Sequence, residues 1–162
     1  CLGSINLKPF NRLSLDDFNT DLNVNFFGAL KAFQHYLPTL KKSEQASVVM
    51  FSTVAVQSGM PYHASIAAAK GAVEGLVKSL AAEFAPKIRV NAIAPSLIDT
   101  PLASGILRSE QIKENMIAKH PLKRILNPID VSKTACFLLS EDSNGITGQI
   151  IVQDNGLVSF SY

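Results

Sequence analysis

Apolar positions recur at spacings of three and four early in the chain: Leu15, Phe18, Leu22, Phe26, Leu30, Phe33 and Leu37. Such spacing puts one apolar stripe on a helix and predicts a long amphipathic helix over 15–41. Ser14, with Asp17 three residues on, has the pattern of a capping box and marks its start. Pro38 falls near the end, where a kink is tolerated. After a polar turn the period changes. Residues 46–52, ASVVMFS, form a short apolar run of β-formers, as in a strand buried on both faces. A second long helix is expected over 63–84. Ala64, Ala68 and Ala72 form one small-residue line on it, and Ala67, Gly71 and Gly75 its neighbour. Glycine inside a helix costs about 1 kcal/mol relative to alanine, so these lines predict a closely packed partner, either the sheet or another helix. Residues 88–94, IRVNAIA, read as a second strand closed by Pro95. Residues 110–119 read as a short helix. Asn127-Pro128-Ile129-Asp130 opens another, with Val131, Ala135, Leu138 and Leu139 on its buried face. Residues 148–152, GQIIV, read as a third strand. Strands alternating with helices imply an α/β fold with a doubly wound parallel sheet and right-handed crossovers.

Composition narrows the function classes. Of 162 residues, 47% are hydrophobic and 17% charged, which excludes a disordered chain. Fifteen Lys and Arg against thirteen Asp and Glu leave a net charge of +2, with no basic run of the kind nucleic acid attracts. Lys70, Glu74 and Lys78 interrupt the longest apolar stretch, so no membrane span is expected. Cys1 and Cys136 make no disulfide framework, which points to a reducing, cytoplasmic setting. His35, His63 and His120 have no ligand spacing, so no metal site is expected. The chain opens on Cys1, and the expectation is that it is part of a longer polypeptide.

The nine glycines contain no pair two residues apart. A dinucleotide-binding sheet needs a Gly-rich turn so that the backbone can approach the pyrophosphate. No such turn and no P-loop are found.

Four segments carry the candidate chemistry: Asn25-Phe26-Phe27-Gly28, Phe51-Ser52-Thr53, Ile66 to Val73 with Lys70 at its centre, and Ile88 to Thr100 with Pro95, Ile98 and Thr100. With Ile146-Thr147-Gly148-Gln149 and Asp154-Asn155-Gly156, their order and spacing resemble the later part of the short-chain dehydrogenase/reductase family. The resemblance covers essentially the whole chain. It implies a partial Rossmann-like sheet, its last three strands with flanking helices, in a single incomplete domain over 1–162. It further implies NAD or NADP as cofactor in the intact parent, hydride transfer to or from a small carbonyl or alcohol substrate, and a homo-oligomer paired through helices 15–41 and 63–84.

In that family a Ser, a Tyr and a Lys act with an Asn behind them. The phenol moves a proton, and the nearby ammonium lowers its pKa. The resemblance places Asn25 on the Asn, Thr53 on the Ser and Lys70 on the Lys. Pro95, Ile98 (through its backbone), Thr100 and Lys70 would meet the nicotinamide ribose side, and residues 102–120 would cover the substrate. Pro95-Ser96 stands where the family usually has Pro-Gly. The Tyr position is Ile66, which can neither give nor take a proton. Tyr62 and His63 lie one turn earlier on the same face if the helix starts early, whereas Ser65 points about 100° away. Taken singly, each residue also has a plain reading: Lys70 a solvated side chain, Asn25 a buried hydrogen-bonded amide, Thr53 the end of a strand, and the Phe18, Phe26, Phe33 stripe core or subunit interface. Three outcomes stay open: catalysis with a substitute donor, a non-catalytic nucleotide-binding or regulatory paralogue, or an inactive fragment whose first strand has an exposed edge.

Overall fold

Ser14 closes the expected capping box. Its Oγ accepts from the Asp17 N–H at 3.2 Å, and the Asp17 carboxylate accepts from the Ser14 N–H at 2.9 Å. The computed structural model describes residues 3–159; Cys1, Leu2 and residues 160–162 lie outside them. The capping box starts α1 (Leu15–Asp21), which does not continue as the single α-helix expected over 15–41. Leu22–Phe27 form a π-helical turn, with the Gly28 N–H bonded to Asn23 O, and α2 runs Gly28–Leu40. The cause lies in Asn25: its side-chain amide donates to the Asp21 carbonyl at 3.0 Å, which competes with the backbone ladder at that carbonyl. The burial shifts too. Leu15 is 75% exposed, while Asp21 and Asn25 are more buried than their apolar neighbours Leu22 and Phe26.

Among the described residues three parallel strands form one sheet in the order β1 (Ala46–Phe51), β2 (Ile88–Pro95), β3 (Ile150–Gln153). Ala46 lies opposite Ile88, and Ala92 opposite Ile150. The third strand starts two residues later than expected, because Gly148, at φ 70°, makes a turn whose N–H reaches Val90 O. Between β1 and β2 lie the short α3 (Ala55–Ser58) and α4 (Ala64–Phe84); between β2 and β3 lie α5 (Glu110–Lys119) and α6 (Pro128–Leu139).

Both sheet faces are covered. On one, Phe33, Val73, Val77 and Leu80 pack on Met50, Val90 and Ala92. On the other, Val131 and Leu138 pack on Ile93, Val49 and Ile151. Leu139, expected on the buried face of α6, is 52% exposed. The small-residue lines of α4 turn only partly outward: Ala67, Gly71 and Ala72 are half-buried, and a Cβ on Gly71 would meet Val56 at 3.8 Å. Ala64, Ala68 and Gly75 are exposed, and a Cβ on Gly75 would meet nothing within 4 Å, so the sheet is not their partner. No helix among the described residues is long and apolar enough to cross a membrane.

Asn127 caps α6 with a second reciprocal box: its Oδ1 accepts from the Asp130 N–H at 2.9 Å, and Asp130 accepts from the Asn127 N–H at 3.0 Å. Asn127→Ala should lower stability by about 1 kcal/mol, or about 2–4 °C in Tm, whereas Asn127→Ser should hold near wild type. Thermal melts of the two variants check this.

Candidate active site

Parallel strands bring their carboxyl ends to one edge of the sheet, and hydrogen bonds tie those tips together. The Ser52 N–H reaches Ile93 O at 2.8 Å, the Val54 N–H reaches Pro95 O at 3.2 Å, and the Ser96 N–H reaches Gln153 O at 3.0 Å. Residues 51–54, 95–96 and 153 therefore share one end of the fold.

Lys70 arrives there from the second turn of α4. Its half-buried ammonium donates to Phe51 O, the last carbonyl of β1, at 3.0 Å. Burial without a carboxylate partner pushes the Lys70 pKa below the usual lysine range. Because the fold disfavours the charged form, the unfolded chain binds more protons through that window. Stability should accordingly rise with pH through the folded pKa toward the ordinary value near 10.4. Lys70→Met should flatten that rise. Urea unfolding of both proteins between about pH 8 and pH 10 compares the slopes directly.

Asn25 is 3% exposed. Its Nδ2 donates to Asp21 O and to Ser4 Oγ, each at 3.0 Å, and its Oδ1 accepts from the Ser4 N–H at 3.4 Å. Ser4 Oγ donates in turn to Asp21 Oδ1 at 2.8 Å. Asn25, Lys70 and Phe51 line a common, largely apolar groove of about 480 Å³. That groove runs along the free edge of β1, whose only strand neighbour among the described residues is β2.

The other expected site residues are placed differently. Thr53 sits at the strand tip, but its Oγ1 accepts from the Ala55 N–H at 3.3 Å and so opens α3. The more buried hydroxyl is its neighbour Ser52, which donates to Glu74 Oε1 at 2.5 Å. Pro95 adjoins Val54 through its carbonyl. Ile98 pairs with Leu126 in an isolated parallel bridge, and the Thr100 hydroxyl donates to Ile98 O at 3.4 Å. Ile66 is 4% exposed, one turn before Lys70. Tyr62 does not share that helix face: α4 starts only at Ala64, and Tyr62 lies outside it with φ 69° and 59% exposure. His63 directs its Nδ1 to Pro61 O at 2.8 Å.

Several participants carry little signal in the sequence. Asp21 lies four residues before Asn25, a spacing that marks a shared helix face, yet a lone carboxylate in an apolar stripe reads as solvated. Ser4 and Glu74 carry no local signal. His120 has no ligand spacing to single it out; it is buried, at 1% exposure, and bonded to Ser96.

Comparisons with known proteins bear on this geometry. A family model described as enoyl-(acyl carrier protein) reductase matches residues 1–158. The chain is 36% identical to 3-oxoacyl-[acyl-carrier-protein] reductase of Thermotoga maritima, over 91% of this chain and 59% of that protein. It is 35% identical to a tropinone reductase homolog of Arabidopsis thaliana, over 99% of this chain and 63% of that protein. It thus spans about three fifths of the length of these relatives. Among solved structures, ligand-free aldohexose dehydrogenase of Thermoplasma acidophilum superposes at TM-score 0.92 with 30% identity, covering 99% of this chain and 67% of that one. ElxO with NADP bound superposes at TM-score 0.90 with 32% identity, covering 99% of this chain and 66% of that one.

Proposed function

The chain belongs to the short-chain dehydrogenase/reductase family, and on that premise we propose that it forms the substrate-side portion of an NAD(P)-dependent oxidoreductase acting on a small carbonyl or alcohol. The observation that carries the reading is the Lys70 ammonium, held on Phe51 O at the carboxyl end of β1 in a groove that Asn25 also lines. One of its three N–H groups is taken by that carbonyl, which leaves donors suited to a ribose diol. The pyrophosphate end has no such counterpart, since residues 1–162 hold no Gly-rich turn. Weak dinucleotide affinity is therefore expected of these residues alone, and the redox activity is proposed for a polypeptide that adds such a turn beside the free edge of β1.

When bound, the nicotinamide supplies or accepts the hydride. Lys70 would hold the ribose and lend positive charge to the reacting oxygen, the tip hydroxyl of Thr53 would orient that oxygen, and Asn25 would fix the helix that faces Lys70. The Ile98 backbone and Thr100 would meet the carboxamide beside Pro95, with residues 102–120 covering the substrate. The outward-facing small residues of α4, together with α1 and α2, are the surface proposed for pairing with a second copy. A cytoplasmic setting is proposed from the cysteine content, with Cys136 free.

Ile66 favours a second reading, a nucleotide-binding paralogue without catalysis. NADPH titration followed by a carbonyl and alcohol panel separates the two: binding with turnover supports the oxidoreductase, and binding without turnover on any substrate supports the paralogue.

A further inference from the structure

Ile66 removes the usual proton carrier, and the strand tips hold another pair able to do that work. Ser96, the first residue after β2, places its Oγ 3.1 Å from His120 Nε2. His120 Nδ1 lies 2.7 Å from Met116 O. A carbonyl only accepts, so Nδ1 carries the hydrogen. In the neutral ring Nε2 then holds the lone pair and accepts from the Ser96 hydroxyl. The result is a hydroxyl bonded to a base whose far side is fixed by a third group, the arrangement that activates serine in nucleophilic and proton-transfer sites.

Placement supports a role at the reacting end. Ser96 follows Pro95, whose carbonyl holds the Val54 N–H, and its own N–H reaches Gln153 O, so it stands at the same end of the sheet as Phe51 O, where Lys70 is bonded. His120 is shielded at 1% exposure, whereas Ser96 is only half-buried, so a proton bound for the imidazole passes through the hydroxyl. Both residues depart from plain structural chemistry at once: Ser96 stands where a glycine is usual, and His120 sits fully buried against it.

We infer that Ser96 and His120 form the acid–base couple of this site, with alcohol oxidation as the direction their resting tautomer serves. The inference rests on the oxidoreductase reading above. The alcohol O–H proton passes to Ser96 Oγ as the Ser96 proton passes to His120 Nε2, and the C–H hydride leaves for the oxidised nicotinamide. Carbonyl, reduced nicotinamide and one proton on His120 are the products. Ser96 touches the reacting oxygen; His120 acts through it as a positioning and proton-holding residue.

The test has two arms on the full-length protein with NADP and a panel of secondary alcohols. Ser96→Ala should lower kcat about 100-fold with little change in KM. His120→Ala should do likewise, and added imidazole should restore a large part of its rate. In an Ile66→Tyr background both losses should shrink to a few-fold, because the phenol bypasses the pair. The second arm needs no turnover: nitrogen-15 spectra of histidine should find Nδ1 protonated and Nε2 hydrogen-bonded, with the Nε2 signal moving in Ser96→Ala. A protein that binds NADP but keeps wild-type kcat in Ser96→Ala, shows no imidazole rescue, or carries the hydrogen on Nε2 overturns the couple and leaves the oxidoreductase reading standing. A folded protein that binds no NADP or NADPH, or binds them and turns over no alcohol or carbonyl, overturns both.

Discussion

In a Ser96→Ala background, where the native acid–base couple is gone, Ile66→Tyr should increase the rate of NADPH-dependent carbonyl reduction by about 100-fold or more, the range a well-placed general acid contributes. The position is one turn before Lys70 on α4, so a phenol there shares a face with the ammonium. Lys70, half-buried and bonded to Phe51 O, stabilises phenolate and lowers the phenol's pKa toward neutrality. The substitution has a structural cost. Ile66 is 4% exposed, and a larger ring in a packed position typically costs about 1–3 kcal/mol. A moderate fall in Tm should thus accompany the gain in rate. Steady-state kinetics with a carbonyl panel, alongside a melting curve, separates the two effects. A folded variant that binds NADPH without any gain would mean that the pocket around residue 66 has been reshaped as well.

The largest loss of stability is expected from Arg89→Met. The Arg89 guanidinium ties the end of α6 to the loop before β3. Its Nη1 shares two hydrogens among Leu138 O at 3.0 Å, Ser143 O at 3.0 Å and Ser143 Oγ at 2.8 Å, and its Nη2 donates to Ser140 O at 2.9 Å. These carbonyls belong to the unsatisfied end of a helix and the turn after it, and they lie partly out of reach of water. Methionine keeps much of the stem volume but removes the charged donor, and leaves Leu138 O with the Ser47 and Ser143 hydroxyls, Ser140 O with the Ser143 hydroxyl and Ser143 O with the Ile146 N–H. The expected cost is roughly 2–3 kcal/mol, since several part-buried acceptors lose charge-assisted bonds at once while the carbonyls keep a neutral donor. Urea unfolding measures it. A loss below about 1 kcal/mol would mean that the guanidinium is as replaceable as a surface charge.

Much of this architecture is legible in local pattern. Ser14-Asp17 and Asn127-Asp130 form reciprocal caps because capping needs only residues three apart in sequence. The strands at 46–51 and 88–95 come from runs of β-formers that both sheet faces require. The π turn at Leu22–Phe27 is not legible in this way. It depends on the Asn25 amide choosing the Asp21 carbonyl and on Ser4 reaching both, a contact across twenty-one residues. The apolar stripe therefore indicates the helical region and, through Phe26, Phe33 and Leu37, its core-facing side, but neither the π turn nor the burial of Asp21 and Asn25. The same limit applies at the site. The spacing of Thr53, Ile66 and Lys70 places each on its element. It does not reveal that the Thr53 hydroxyl opens α3 while Ser52 turns inward to Glu74, because the choice between adjacent hydroxyls is made by tertiary neighbours. The Ser96–His120 contact joins residues twenty-four apart on different elements, and neither carries a motif.

All of the proposed chemistry depends on Lys70 presenting its ammonium to the ribose edge of a nicotinamide cofactor. The most direct measurement is the nitrogen-15 spectrum of the lysine side chains during titration with NADPH. The Lys70 resonance, identified by its absence in Lys70→Met, should move and saturate with ligand, with the Asn25 side-chain amide responding little because its donors are already held by Ser4 and Asp21. A Lys70 signal that stays fixed while other resonances of the folded protein report bound NADPH would contradict this assignment.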